Sequence, residues 1–242
     1  MGRTLRVAPA DGFFHLTTRG NRRQTVFVDD VDRSWFLELL SDVVERFEWN
    51  VLAYCLMGNH YHLTVHTPTP TLSAGMHRLN GVWAQRFNWR HGFEGHLFER
   101  PFRSNLAETD EAVQEFARYT VLNPVRAGLV RSPAEWPWSS YRASAGHVPA
   151  PRLLATSQLH ALFAQPGRSG RAGYVEFVTV GLVGFGRVSG PGPETRPSET
   201  RNGGAQPSVK RRTTMQALWP PKPNELLHAT SRSGASRYSF GT

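Results

Sequence analysis

From Asp30 to Phe47 the apolar positions Trp35, Phe36, Leu39, Leu40, Val43, Val44 and Phe47 recur every three or four residues, which predicts an amphipathic helix. Leu72 to Trp89 returns to that spacing through Met76, Leu79, Trp83 and Phe87. Arg78, Gln85, Arg86 and Asn88 fall off this stripe, so a second helix is expected with a polar face able to meet phosphates. Between the two, Trp49–Leu56 and His60–His66 read as strands joined by Met57, Gly58 and Asn59, a tight hairpin. Upstream, Phe13–Thr18 is short, aromatic and Thr-rich and runs into Gly20, Asn21 and two arginines, the pattern of a strand entering a basic turn. Pro101–Ala107 predicts a fourth strand. Thr109 then supplies an N-cap, and Asp110 and Glu111 an acidic first turn, for a third helix. That helix is expected to end near Leu122, because Pro124 pushes the residue before it out of the helical region.

The order strand, helix, strand, strand, helix, strand, helix predicts an α+β fold, a ferredoxin-like antiparallel or mixed sheet with helices packed on one face. Residues 1–145 make up this domain. Residues 146–183 carry Leu153, Leu154, Leu159, Leu162, Phe163, Tyr174, Phe177 and Val178 as apolar anchors and read as an ordered extension. From residue 184 to 242 Gly, Pro, Ser, Thr and Arg dominate and the periodicity stops, so a disordered, low-complexity basic tail is expected.

Charge sharpens this division. Of the formal net charge of +9, residues 1–180 hold 19 basic and 16 acidic side chains and residues 181–242 hold 9 and 3, so the excess sits mainly in the tail. Net charge is therefore weak evidence for nucleic-acid binding by the folded part. Local composition says more: every cation before Lys210 is arginine, whose planar fork suits phosphate, with clusters at Arg19, Arg22 and Arg23, at Arg78, Arg86 and Arg90, and at Arg100 and Arg103. One cysteine, Cys55, excludes an internal disulfide framework and a Cys-based zinc finger. No stretch approaches the ~18 apolar residues of a membrane span, so a cytoplasmic protein with no membrane partner is expected.

The chemistry concentrates in two places. In Asn59-His60-Tyr61-His62 the histidines are two apart, so on a strand both imidazoles share one face with backbone origins ~6.8 Å apart, a spacing that suits one divalent ion. Imidazole favours Mn, Zn and similar metals over Mg, although a third oxygen ligand and phosphate oxygens would make a mixed site open to Mg. Glu115, Tyr119 and Asn123 follow at successive i+4 positions, flanking a core stripe of Val113, Phe116, Ala117 and Thr120. A phenol is a poor nucleophile at neutral pH unless its proton leaves or its oxygen meets a cation, so a nearby metal would matter to Tyr119. Each motif alone has a plain structural explanation, as half-buried strand histidines or a packing tyrosine.

Longer blocks extend the pattern: Ala53 to Leu63, Gly95-His96-Leu97-Phe98 with Arg103, Arg118 to Val130, and Trp136 to Tyr141. Together they resemble the REP-associated tyrosine transposases, a group of single-tyrosine HUH transposases of small insertion sequences, over about residues 10–180. The resemblance implies cleavage and rejoining of single-stranded DNA near hairpins through a 5′-phosphotyrosine, with a divalent metal, Mg or Mn, as cofactor. It assigns Tyr119 as nucleophile, His60 and His62 as the metal pair, and Asn123 as the residue completing the metal shell. Gly58 departs from the pattern, standing where relatives usually carry proline. Arg19, Asn21, Arg22, Arg23, Arg86 and Arg103 are candidates for holding phosphates or hairpin bases. Whether a monomer or a homodimer builds the site is left open, as some relatives supply the tyrosine in trans.

Two rival readings compete with this one. His15-Leu16-Thr17 and His62-Leu63-Thr64 repeat a His-x-Thr pattern used by two-histidine phosphoesterases, which would make His15 and Thr64 essential and leave Tyr119 idle. A non-catalytic hairpin-binding protein is the other.

Overall fold

The computed structural model describes residues 9–183; residues 1–8 and the expected tail, 184–242, lie outside it. Strands β1 (Gly12–Arg19), β2 (Asn50–Leu56), β3 (His60–Thr67) and β4 (Arg103–Ala107) form one sheet in the order β2-β3-β1-β4. Every pairing is antiparallel, which removes the mixed-sheet alternative. Helix α1 (Asp30–Phe47) joins β1 to β2 and α2 (Leu72–His91) joins β3 to β4, the split βαββαβ arrangement of ferredoxin-like folds.

Local rules account for these elements. Asp29 caps α1 by accepting the Asp32 N–H at 3.0 Å, and Glu48 in the left-handed region ends it. The buried Asp32 carboxylate accepts the Val28 N–H at 2.7 Å and pairs with Arg90 and His91 at the far end of α2, so the start of one helix is tied to the end of the other. In the β2–β3 turn the Gly58 carbonyl accepts the Val26 N–H at 2.9 Å, and a Cβ added to Gly58 would meet nothing. The departure from proline therefore leaves the histidine register intact.

Side-chain alternation divides the sheet. Phe14 and Leu16 of β1 and Tyr61, Leu63 and Val65 of β3 join Phe36, Leu39, Leu40 and Val43 of α1 and Met76, Leu79, Trp83 and Phe87 of α2 in one dry core. Each fully buried Leu or Phe there contributes roughly 1.5–3 kcal/mol. The Tyr61 hydroxyl, which β3 sends into this layer, donates to Asn80 Oδ1 at 2.5 Å.

Helices do not occupy one face only, as the order of elements had led us to expect. Helix α3 (Asp110–Arg126) lies across the opposite face, where Val113, Ala117 and Val121 pack with Leu52 and Ala53 of β2. Leu159 of α5 (Thr156–Ala161) and Tyr174 and Val178 of α6 (Gly170–Val183) complete this second core. The reason is visible in β2, buried from Val51 to Leu56 without alternation: a strand apolar on both sides needs cover on both.

Pro124 does not stop α3, which continues to Arg126. The proline leaves the Thr120 carbonyl without its usual i+4 N–H donor, and the Asn123 side-chain amide lies 3.4 Å from that oxygen and 2.8 Å from the Tyr119 carbonyl. Gly128, at φ 70°, ends the turn in the left-handed conformation that favours glycine. The Trp136–Tyr141 block closes the free edge of β2: Leu56 N–H donates to the Trp138 carbonyl, Ser140 N–H to the Tyr54 carbonyl, and Trp136 Nε1 to the Leu56 carbonyl. It leads into the short helix α4 (Tyr141–Ser144). No described helix is long and apolar enough to cross a membrane.

Candidate active site

On the α3 face the register sets Arg19 opposite His60, Thr17 opposite His62 and His15 opposite Thr64, with Arg103 and Asn105 of β4 beside Thr17 and His15. The His60 and His62 rings stand 5.0 Å apart between centroids and nearly perpendicular. His60 Nδ1 lies 2.5 Å from Asn59 Oδ1; an amide oxygen only accepts, so Nδ1 holds the proton and Nε2 carries the free lone pair. His62 Nδ1 lies 3.1 Å from His15 Nε2 and 3.2 Å from Thr17 Oγ1. Its Nε2 is buried with no hydrogen-bond partner among the described residues.

Burial pushes the pKa of His15 and His60 down to about 4, the Arg19 charge adding to the effect at His60. Burial likewise holds His62 well below the usual histidine range, reinforced by His60, His15, Arg19 and Arg126. All three imidazoles are thus neutral at pH 7, the state in which a ring nitrogen can ligate. An orphaned, buried ring nitrogen on a neutral imidazole, beside a second one of fixed tautomer, fits a divalent ion. Among the described residues no third His, Cys, Asp or Glu joins them, so the remaining positions suit oxygen donors.

Helix α3 brings the tyrosine. Thr120 is buried and its Oγ1 sits 2.9 Å from Thr64 Oγ1, which anchors the helix on β3. One residue earlier, Tyr119 stays 38 % exposed and turns its ring edge-on to His15 at 5.3 Å and to His62 at 5.8 Å. The Arg126 guanidinium lies over the same ring at 4.4 Å. Tyr119 and His62 meet within this chain. Asn123 is one turn further on; its nitrogen is engaged with the helix backbone, and the residue does not line the histidine cleft. Phe116, expected in the core stripe, is half-buried and forms a wall beside His15 at 5.5 Å.

Tyr119, His62, His15 and Thr17 open onto a cleft of about 800 Å³. Of the arginines expected to hold DNA, Arg19, Arg23 and Arg103 line it; Asn21 and Arg22 do not, and Arg86 stands on α2 beside Glu38 and Asp42, across the sheet. Arg100 lines the cleft although only its closeness to Arg103 in the sequence pointed there, and Asn105 and Glu99 carried no sequence signal. His60 sits beside His62 without forming the cleft wall. Thr64 is fully buried in its bond with Thr120, so the second His-x-Thr pair does not present both groups to a substrate and the phosphoesterase reading loses its geometry.

Residues 11–120 match the family model of IS200-like transposases. This segment is an IS200-like transposase domain. It contains the sheet, both histidines and Tyr119, and supports a transposase function for this segment. The structure of a REP-associated tyrosine transposase bound to a REP hairpin superposes with a TM-score of 0.52 at 17 % identity, covering 62 % of this chain and 89 % of that one, and so shares the HUH fold. A crystal structure from Deinococcus radiodurans R1, described as a candidate transposase, aligns at 20 % identity over 50 % of this chain and 96 % of its own with a TM-score of 0.34. A search of curated proteins finds no significant match.

Proposed function

We propose that this transposase cleaves and rejoins single-stranded DNA beside hairpins, with Tyr119 as the nucleophile and a divalent ion, Mg or Mn, held by His60, His62 and Asn123. The observation that carries the reading is the position of the Tyr119 ring, 5.8 Å from the His62 ring whose Nε2 is buried and unpartnered. In this reading Tyr119 Oη attacks the scissile phosphorus in line. A bond forms between Oη and phosphorus, the bond from phosphorus to the 3′-oxygen breaks, and the phenol proton passes to that oxygen. The products are a 5′-phosphotyrosine and a free 3′-hydroxyl, and the reverse step rejoins them without a nucleotide cofactor. The metal, when bound, polarises the phosphate and offsets its developing charge.

The chain's own residues do the rest. Asn59 sets the His60 tautomer, Thr17 and His15 face His62 Nδ1, and Arg19, Arg23, Arg100 and Arg103 offer forks to the phosphates along the cleft. Duplex DNA buries its bases and stiffens its backbone, so an unpaired strand is the substrate that fits an open cleft. Hairpin DNA as partner rests on the likeness to the structure solved with a REP hairpin. A labelled single-stranded oligonucleotide with a 5′ hairpin, incubated with Mg or Mn and resolved on a denaturing gel, should give a covalent adduct with the wild type. No adduct over a panel of hairpins, or an adduct that persists in Tyr119→Phe, overturns the mechanism.

A further inference from the structure

Tyr119 is a wall shared by two clefts. On one side lies the histidine cleft with its four arginines. On the other, a groove of about 340 Å³ runs between α3 and α6, lined by Arg118, Leu122, Arg126, Val180 and Gly181, with Glu115 on the rim common to both. The groove is built rather than incidental. Arg118 is held by Glu115 at 2.6 Å and lies over the Phe177 ring at 4.4 Å. Helix α6 approaches it so closely that a Cβ on Gly181 would come within 2.8 Å of the Arg118 side chain. Arg126 stands where the two clefts meet, on the face of the tyrosine ring.

We infer that this groove holds the DNA segment downstream of the cleaved bond, the part that remains joined to Tyr119. The inference rests on the cleavage reading above and adds a direction to it. In-line displacement places the leaving 3′-oxygen on the side of phosphorus opposite Tyr119 Oη, so the upstream strand lies away from α3, in the histidine cleft. The strand that keeps the 5′-phosphate stays on the tyrosine side, where the α3–α6 groove begins. Two arginines against one carboxylate give the groove the charge a phosphate backbone needs, and Leu122 and the largely exposed Val180 offer an apolar wall to a base.

Binding of intact oligonucleotides to the full-length Tyr119→Phe protein tests this without requiring cleavage. One series keeps a fixed upstream hairpin and adds zero to six nucleotides after the scissile position. Affinity should rise with the first two or three added nucleotides. On the extended oligonucleotides Arg126→Gln should weaken binding about 3- to 10-fold and reduce the salt slope by about 0.7, the share of one single-strand phosphate contact. Val180→Trp, which fills the groove, should flatten the length dependence. Neither change should alter binding of the oligonucleotide that stops at the scissile position. Equal effects on both oligonucleotides, or none on either, overturn the assignment; the second result would mean that another occupant, such as the chain's own residues beyond 183, fills the groove. Failure of wild-type cleavage with this length dependence intact would instead count against the nucleophile assignment alone.

Discussion

The two faces of one sheet are made from alternate residues of the same strands, yet they have opposite characters. Toward α1 and α2, β3 presents Tyr61, Leu63 and Val65, and the layer is largely apolar, with the Tyr61 hydroxyl matched by Asn80. Toward α3 the same strand presents His60, His62, Thr64 and His66, all buried, and β1 adds His15 and Thr17. One face spends its burial on stability. The other uses burial to keep imidazoles neutral and leaves the buried His62 Nε2 without a partner among the described residues. A strand period of two thus separates scaffold from chemistry by a single residue.

The sharpest way to break this comparison is to disable the chemical face alone. Tyr119→Phe should lower adduct formation more than about a thousandfold, while thermal stability and hairpin affinity stay near wild type because the ring remains. A comparable loss of Tm would mean that the hydroxyl is structural. Next, Leu63→Ala on the scaffold face should cost about 2–5 kcal/mol in urea unfolding, with cleavage per folded molecule unchanged; a selective loss of cleavage would show the faces to be coupled.

The third effect is in pH. His15 and His60 titrate near 4 when folded against 6.5 when free, so the folded state binds fewer protons across that window. Stability of the metal-free protein should be full above about pH 6.5 and fall as the pH drops toward 4, by on the order of 3 kcal/mol for each histidine. Urea titrations at pH 7, 5.5 and 4.5 would follow the fall, and His15→Gln should make it shallower. The smallest effect compares two arginines: Arg103→Gln should weaken single-strand binding about 3- to 10-fold and lower the salt slope by about 0.7, whereas Arg86→Gln, across the sheet, should change neither.

Much of this was legible in the chain. The bounds of α1 coincide with those expected from its apolar spacing, and β3 begins at His60 as the hairpin signal required. Where the reading failed, a side-chain partner had intervened, local at Pro124 and distant at Arg86. Pro124 remained inside α3 because Asn123 supplies a donor to a carbonyl the proline leaves open, and Arg86, set on a polar helix face by periodicity, was drawn to the acidic side chains of α1. Phe116 left the core stripe for the cleft wall because α3 lies against histidines there and not against an apolar layer.

By itself the sequence determined which side chains share a face, since strand and helix periods follow from backbone geometry: His60 with His62, and Tyr119 one turn before Asn123. Only the tertiary structure decided which faces meet. Sheet register placed His15 against His62 across 47 residues, and the doubly apolar β2 drew α3 to the histidine side, because burying that strand required cover there. Tyr119 reached His62 as a consequence of packing that no local pattern encodes.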